Sequence, residues 1–391
     1  MNPGTATRHG TGRGGLLIVA NYHPDVGYAW NTIGHYFEAL GRMAREEGIR
    51  ATICFPVMKE APERFVREGM ETVSFDFWSS GILDVYRFVR ERSIRCIYLT
   101  DRPVFSSRYL ACRLAGARRI VVHDRTSGER QAPNRWKRLL KKLAGRTPFA
   151  ADLVLAISDY VRNRLVRVSC FPPGRIVRIW NGVDLQKFFP GRDDLVRAMF
   201  GIPRDRKIVF AHSRANGYKG IEVLIRAAER LVRGEGRSDV AFLFCGDGPD
   251  LEAFRSLVRE SGLEDRFLCP GKASSVDRIL RGVDLVIVPS LWQEGFGLSV
   301  VEGMASGRPV IASRVGGIVE IVTDGVDGYL VPPGDPQLLA ERIARILDDE
   351  EEGQRIGIAA RRTVEDRFDI EEKKRELVGQ FRAFLPEMRG N

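Results

Sequence analysis

No run of apolar residues in this 391-residue chain approaches the roughly 20 that a membrane-spanning helix needs. No secretory leader is expected at the start of the sequence either. Its first fifteen residues, MNPGTATRHGTGRGG, are polar and glycine-rich, and only LLIVA follows, too short for a signal core. The expectation is a cytoplasmic protein with a flexible tail over residues 1–15. Histidine and cysteine are scarce, five and six residues. Cys54, Cys96, Cys112, Cys170, Cys245 and Cys269 form no C-x-x-C pair and have no clustered histidines, which argues against a zinc site or a disulfide framework. No metal site and no cofactor are expected.

Two nucleotide-binding signatures are also lacking. Gly10, Gly12 and Gly15 spell G-x-G-x-x-G, but they precede the first strand instead of following it, so no helix N-terminus meets a pyrophosphate there. Gly271-Lys272 has neither the upstream glycine nor the hydroxyl residue of a P-loop.

What is present is alternation. Short β-rich runs recur at 16–20, 51–55, 72–75, 96–99, 120–123, 153–157 and 177–180, then at 208–212, 241–245, 285–289, 309–313 and 328–332. They are almost continuously apolar, as parallel strands buried on both faces are, and helical segments separate them. The class is α/β, and twelve strands are too many for one doubly wound sheet. Two Rossmann-like domains are expected, 16–183 and 184–368, joined near Trp180-Asn181-Gly182-Val183-Asp184. A terminal helix over 369–391 is expected to pack back on the first domain.

The stretch PSLWQEGFGLSVVEGMASGRPVIAS (289–313) carries the chemistry. It follows a buried strand and leads into a helix, so its turn lies where open α/β sheets bind ligands. The amides of Leu298 and Ser299 would stand at a helix N-terminus, a ready phosphate site. Glu294 and Glu302 are eight residues apart, a span of about 12 Å along a helix. That suits the two ends of a nucleotide-sugar better than a glycosidase pair, whose carboxylates stand roughly 5–10 Å apart.

This segment closely resembles the E-x7-E motif of retaining transferases in glycosyltransferase family 4, which have the GT-B fold: two Rossmann-like doubly wound domains facing a central cleft. SRANGYKG (213–220) looks like the family's donor-phosphate motif, CGDGPD (245–250) its G-x-G-P turn and WNGVD (180–184) its hinge. Ser213 stands where the family has glycine, and Val26-Gly27 where members often have Gly-Gly. The resemblance implies that Glu294 and the backbone of Gly295, Phe296 and Gly297 hold the donor sugar. Arg214 and Lys219, helped by Leu298 and Ser299, would neutralise the diphosphate. Glu302 would accept from the ribose hydroxyls, His123 would face the sugar across the cleft, and Gly27, Gly246 and Gly248 would bring backbone close to the donor. Such a site uses fixed cations in place of a metal, and no D-x-D triplet occurs in the chain.

The expected reaction is retaining transfer from a UDP- or GDP-linked sugar to a glycan or lipid-linked acceptor in bacterial envelope synthesis. A nucleotide-sugar epimerase and a non-catalytic sugar-nucleotide binder are the alternatives. Charge bears on the acceptor. Residues 1–180 hold 30 Lys and Arg against 16 Asp and Glu, whereas residues 181–391 hold 31 against 35. A basic first half suits an anionic partner. No nucleic-acid motif accompanies it, and no nucleic-acid partner is expected. Within it, NRWKRLLKKLAGR (134–146) sets Trp136, Leu139, Leu140 and Leu143 on one helical stripe among cations. Two readings are open, a core-packed helix with a charged outer face and a helix lying on an anionic membrane.

Overall fold

A computed structural model describes residues 14–23 and 29–389. Gly27, residues 1–13 of the expected tail and the first two glycines of the G-x-G-x-x-G match lie outside the described residues.

Among the described residues, thirteen strands form two parallel sheets. The first holds β1 (Gly15–Val19), β2 (Arg50–Phe55), β3 (Glu71–Ser74), β4 (Ile94–Thr100), β5 (Arg119–Asp124), β6 (Leu153–Ala156) and β7 (Ile176–Arg178) in the order 3-2-1-4-5-6-7. The second holds β8 (Lys207–His212), β9 (Val240–Cys245), β10 (Phe267–Gly271), β11 (Leu285–Val288), β12 (Val310–Ser313) and β13 (Tyr329–Val331) in the order 10-9-8-11-12-13. Each order reverses beside its first strand, between β1 and β4 and between β8 and β11, which is where doubly wound sheets open a crevice at the strands' carboxyl ends.

The apolar runs read from the sequence correspond to every strand but β10. That edge strand, Phe-Leu-Cys-Pro-Gly, is only partly buried and carries Pro270, so it shows neither the continuous apolarity nor the β-branching of the others.

The chain crosses between the sheets twice at one place. The Val183 amide donates to Phe368 O at 2.8 Å and the Ile370 amide returns to Val183 O at 3.0 Å. Phe368 is fully buried between Trp180 and Phe296, with ring centroids 5.4 and 5.5 Å away. The helix Ile370–Arg382 then lies on the first sheet's side, where Leu377 and Phe381 join the core of Leu16, Ile18 and Tyr98. Burying such aromatic and aliphatic groups contributes about 1.5–3 kcal/mol each, enough to hold the returning segment in place. No helix among the described residues is long and apolar enough to cross a membrane.

Candidate functional site

A cleft of about 370 Å³ opens between the carboxyl ends of the two sheets. The first domain contributes Arg125 and Ser127 from the loop after β5, with Ile157 and Asn181. The second contributes the turn after β8, bearing Arg214 and Lys219, and the segment from Ser290 to Ser299 after β11.

Lys219 is set by a single 3-10 turn, Gly217–Lys219, pinned when the Gly217 amide donates to Asp250 Oδ2 at 2.7 Å. Its Nζ lies 2.6 Å from Glu294 Oε1, and Ser290 Oγ donates to the same oxygen at 2.7 Å. Glu294 is thus held by two donors in a largely buried position. Arg214 is exposed on the cleft wall, and no ion pair holds it among the described residues. The helix Leu298–Ala305 starts at the cleft with Gly297 as its N-cap, and Leu298 and Ser299 line the wall. Two cations and a helix start with no side-chain cap therefore converge where an anion would sit.

The glycines have different duties. Gly246 and Gly248 do not line the cleft. A Cβ on Gly246 would strike Ser213 O and one on Gly248 would strike Ala215 O, so both let the β9 turn press against the loop that carries Arg214. Gly316, at φ +49°, sits against the Glu294 carbonyl in the same way, and the Gly317 amide donates to that carbonyl at 2.8 Å. The Glu294 loop is thereby fixed from behind by close backbone contact.

That loop is also docked on the other domain. The Gly295 amide donates to Ser127 Oγ at 3.0 Å, Ser158 Oγ donates to Gly295 O at 2.6 Å, and the Gly128 amide donates to Gln293 O at 2.7 Å. Beside them the Glu320 carboxylate accepts from the Asp159 and Tyr160 amides at 2.8 and 2.6 Å. It caps a first-domain helix from the second domain, satisfying donors that a helix start leaves unpaired.

Besides Gly246 and Gly248, the expected site residues Gly295, Glu302 and His123 are not among the residues that line the cleft. Glu302 is 3 % exposed; its Oε2 lies 2.8 Å from His212 Nε2, and it borders a separate small cavity beside Asp184 and Lys187. His212 does line the cleft, and Ser299 Oγ donates to its carbonyl at 2.9 Å. Reading the sequence missed His212, although its place at the end of β8, two residues before Arg214, was a signal. His123 is wholly buried, with Nδ1 2.7 Å from the Tyr98 hydroxyl and no hydrogen-bond partner at Nε2. Burial, reinforced by the Arg125 cation, holds its pKa well below the ordinary 6.5, so the ring is neutral.

A second pocket adjoins the cleft in the first domain. It is bordered by Arg102, Arg130 and Lys141, together with Asp101 and Asp124, at the carboxyl ends of β4 and β5. Asp124 and Thr126 border it, while their neighbours Arg125 and Ser127 face the main cleft, so one loop serves both. Burial pushes the Asp101 carboxyl upward in pKa, against the pull of Arg125. Sequence reading did not single out Arg102 or Arg130, because isolated arginines in a basic half carry no pattern.

Comparison with known proteins agrees with this geometry. Residues 33–187 match the model described as Glycosyltransferase Family 4, and residues 193–363 match Glycosyl transferases group 1. The chain is 34% identical over 220 residues to D-inositol 3-phosphate glycosyltransferase of Corynebacterium diphtheriae, covering 54% of this chain and 51% of that protein. It is 32% identical over 231 residues to N-acetyl-alpha-D-glucosaminyl L-malate synthase of Bacillus anthracis, covering 59% of this chain and 58% of that protein. The matches thus span little more than half the length of these curated relatives. A crystal structure of a glycosyltransferase from Rickettsia africae ESF-5 superposes with TM-score 0.79 at 21% identity, over 97% of this chain and all of that one. With one family model on each domain and the same two-sheet architecture, the chain belongs to glycosyltransferase family 4 and has the GT-B fold.

Proposed function

We propose that this chain is a retaining, metal-independent glycosyltransferase that moves a sugar from a UDP- or GDP-linked donor to a hydroxyl of an anionic glycan or lipid-linked acceptor, in bacterial envelope synthesis. The observation that carries the reading is the convergence of Arg214, Lys219 and the helix start at Leu298 and Ser299 on one side of an interdomain cleft. Breaking the bond between anomeric carbon and phosphate oxygen leaves negative charge on the diphosphate. Fixed cations and oriented amides stabilise that charge without reorganising, which is electrostatic catalysis. A planar guanidinium at Arg214 suits a forked contact with phosphate oxygens, and Lys219 supplies a point charge.

Glu294, already accepting from Lys219 and Ser290, fits a role in holding sugar hydroxyls rather than attacking carbon. Retention then follows from attack on the leaving-group face. The acceptor oxygen forms the new bond to the anomeric carbon as the phosphate bond breaks, and the acceptor proton passes to the departing phosphate oxygen. His212 and Glu302 would form the ribose end of the donor site.

Two observations favour an anionic acceptor. Arg102, Arg130 and Lys141 border the pocket beside the cleft. The two relatives are named for anionic partners, an inositol phosphate and malate.

Incubation with a panel of nucleotide-sugars, reading release of free nucleoside diphosphate and the anomeric configuration of the product, tests the reading. Release from one donor, strongly reduced in Lys219→Ala and Glu294→Ala, is expected. Unimpaired transfer by both variants would sink the site assignment.

A further inference from the structure

The structure excludes one of the two readings of residues 134–146. The helix Arg135–Ala144 buries none of its residues, and its apolar stripe is open: Trp136 is 78 % exposed and Leu140 65 %, with Leu139 and Leu143 about half exposed. The core-packed reading is therefore incorrect. The helix is nonetheless formed and anchored: Asn134 Oδ1 caps it by accepting from the Lys137 amide at 2.9 Å. Lys141 Nζ donates to Val168 O at 2.8 Å, and Arg175 Nη1 holds the Gly145 carbonyl at 2.7 Å.

We propose that this helix is a docking surface for an anionic lipid bilayer. Four adjacent large apolar side chains facing water are costly, and an occupant must accept them. The occupant must also be anionic. No Asp or Glu stands between Glu129 and Asp152, whereas seven Lys and Arg do. The segment touched by Lys141 adds Arg167. A second copy of the same face would set these cations against one another, which opposes a symmetric dimer through the helix. Nucleic acid would satisfy the cations but offers nothing to three leucines.

A bilayer interface accepts both. Leucines and the indole insert at the boundary of headgroups and acyl chains, and lysine and arginine stems reach to lipid phosphates. Lys141 also borders the pocket of Arg102 and Arg130, so docking would bring that pocket to the lipid surface. This inference goes beyond the transfer reading and does not rest on it, since vesicle binding requires neither donor nor acceptor.

The test is co-sedimentation of the full chain with phosphatidylcholine vesicles, with and without about 30 % phosphatidylglycerol, near physiological salt. Binding at least about tenfold stronger to the anionic vesicles is expected, with a loss of about tenfold in Trp136→Ser/Leu140→Ser and in Lys137→Glu/Lys142→Glu. All four side chains are exposed, so the variants should keep the wild-type thermal midpoint. Equal binding to neutral and anionic vesicles would overturn the proposal, as would wild-type binding by the Trp136/Leu140 variant. A dimer that dissolves in that variant, without any vesicle preference, would overturn it in favour of a second copy.

Discussion

His212 Nε2 lies 2.8 Å from Glu302 Oε2; both side chains are buried, His212 at the wall of the cleft and Glu302 behind it. This pair joins the end of β8 to the helix Leu298–Ala305, two elements that each carry part of the proposed donor site. Removing one partner leaves the other as a buried polar group with its bond unmade, at a cost of about 1–3 kcal/mol. Glu302→Gln keeps the volume and removes the charge. We expect a donor KM raised about tenfold with kcat changed much less, because ribose contacts are uniform binding that does not grow in the transition state. Steady-state kinetics against the donor checks this, and a pure kcat loss would count against the role.

Lys219 and Arg214 are asked to do the opposite. Their charge matters most when the diphosphate departs, so Lys219→Ala should cost about 10²–10³ in kcat. Arg214→Lys should recover only part of the loss seen in Arg214→Ala, since a point charge cannot replace a planar fork. Single-turnover rates separate these effects from product release.

Glu320 predicts an effect on domain arrangement. Its carboxylate receives the Asp159 and Tyr160 amides from the other domain. Glu320→Ala should cost about 1 kcal/mol, as the loss of a helix cap does. It should also let the domains part, seen as a larger radius of gyration in small-angle scattering that donor reverses. An unchanged radius and midpoint would show the contact to be unimportant.

His123 should make stability depend on pH. The folded protein holds the ring neutral, with its pKa depressed by burial and Arg125, whereas the unfolded chain takes up a proton near 6.5. The unfolded state thus binds more protons below that value, so stability present above about 6.5 is lost as pH falls toward the folded pKa. Thermal midpoints between pH 7.5 and 5.5 should fall more steeply for the wild type than for His123→Gln. Parallel curves would contradict this.

Leaving-group stabilisation by Arg214 and Lys219 predicts that transfer persists in a chelator. No group of three His, Cys, Asp or Glu among the described residues could hold a metal ion. Loss of turnover in EDTA, restored by a divalent cation, would show that the donor's diphosphate needs a metal.

The sequence by itself determined the architecture and pointed to the residues at the core of the proposed donor site. Parallel strands buried on both faces must be apolar throughout, so twelve of the thirteen strands were legible, and only β10 with Pro270 was not. The proposed donor site lies in a few contiguous turns, so its position after a buried strand brought out Glu294, and the resemblance of 213–220 to a family motif brought out Arg214 and Lys219. Tertiary structure decided what depends on residues distant in the chain. It set His212 against Glu302 across 90 positions, Glu320 against the Asp159 amide, and Arg102 beside Arg130 and Lys141. It also decided the helix of Trp136. An amphipathic stripe states that one face avoids water, but whether protein covers that face is a property of the fold. Here nothing among the described residues buries it, and the two glutamates first read as the ends of one clamp prove to have different surroundings: Glu294 on the cleft wall, Glu302 behind His212.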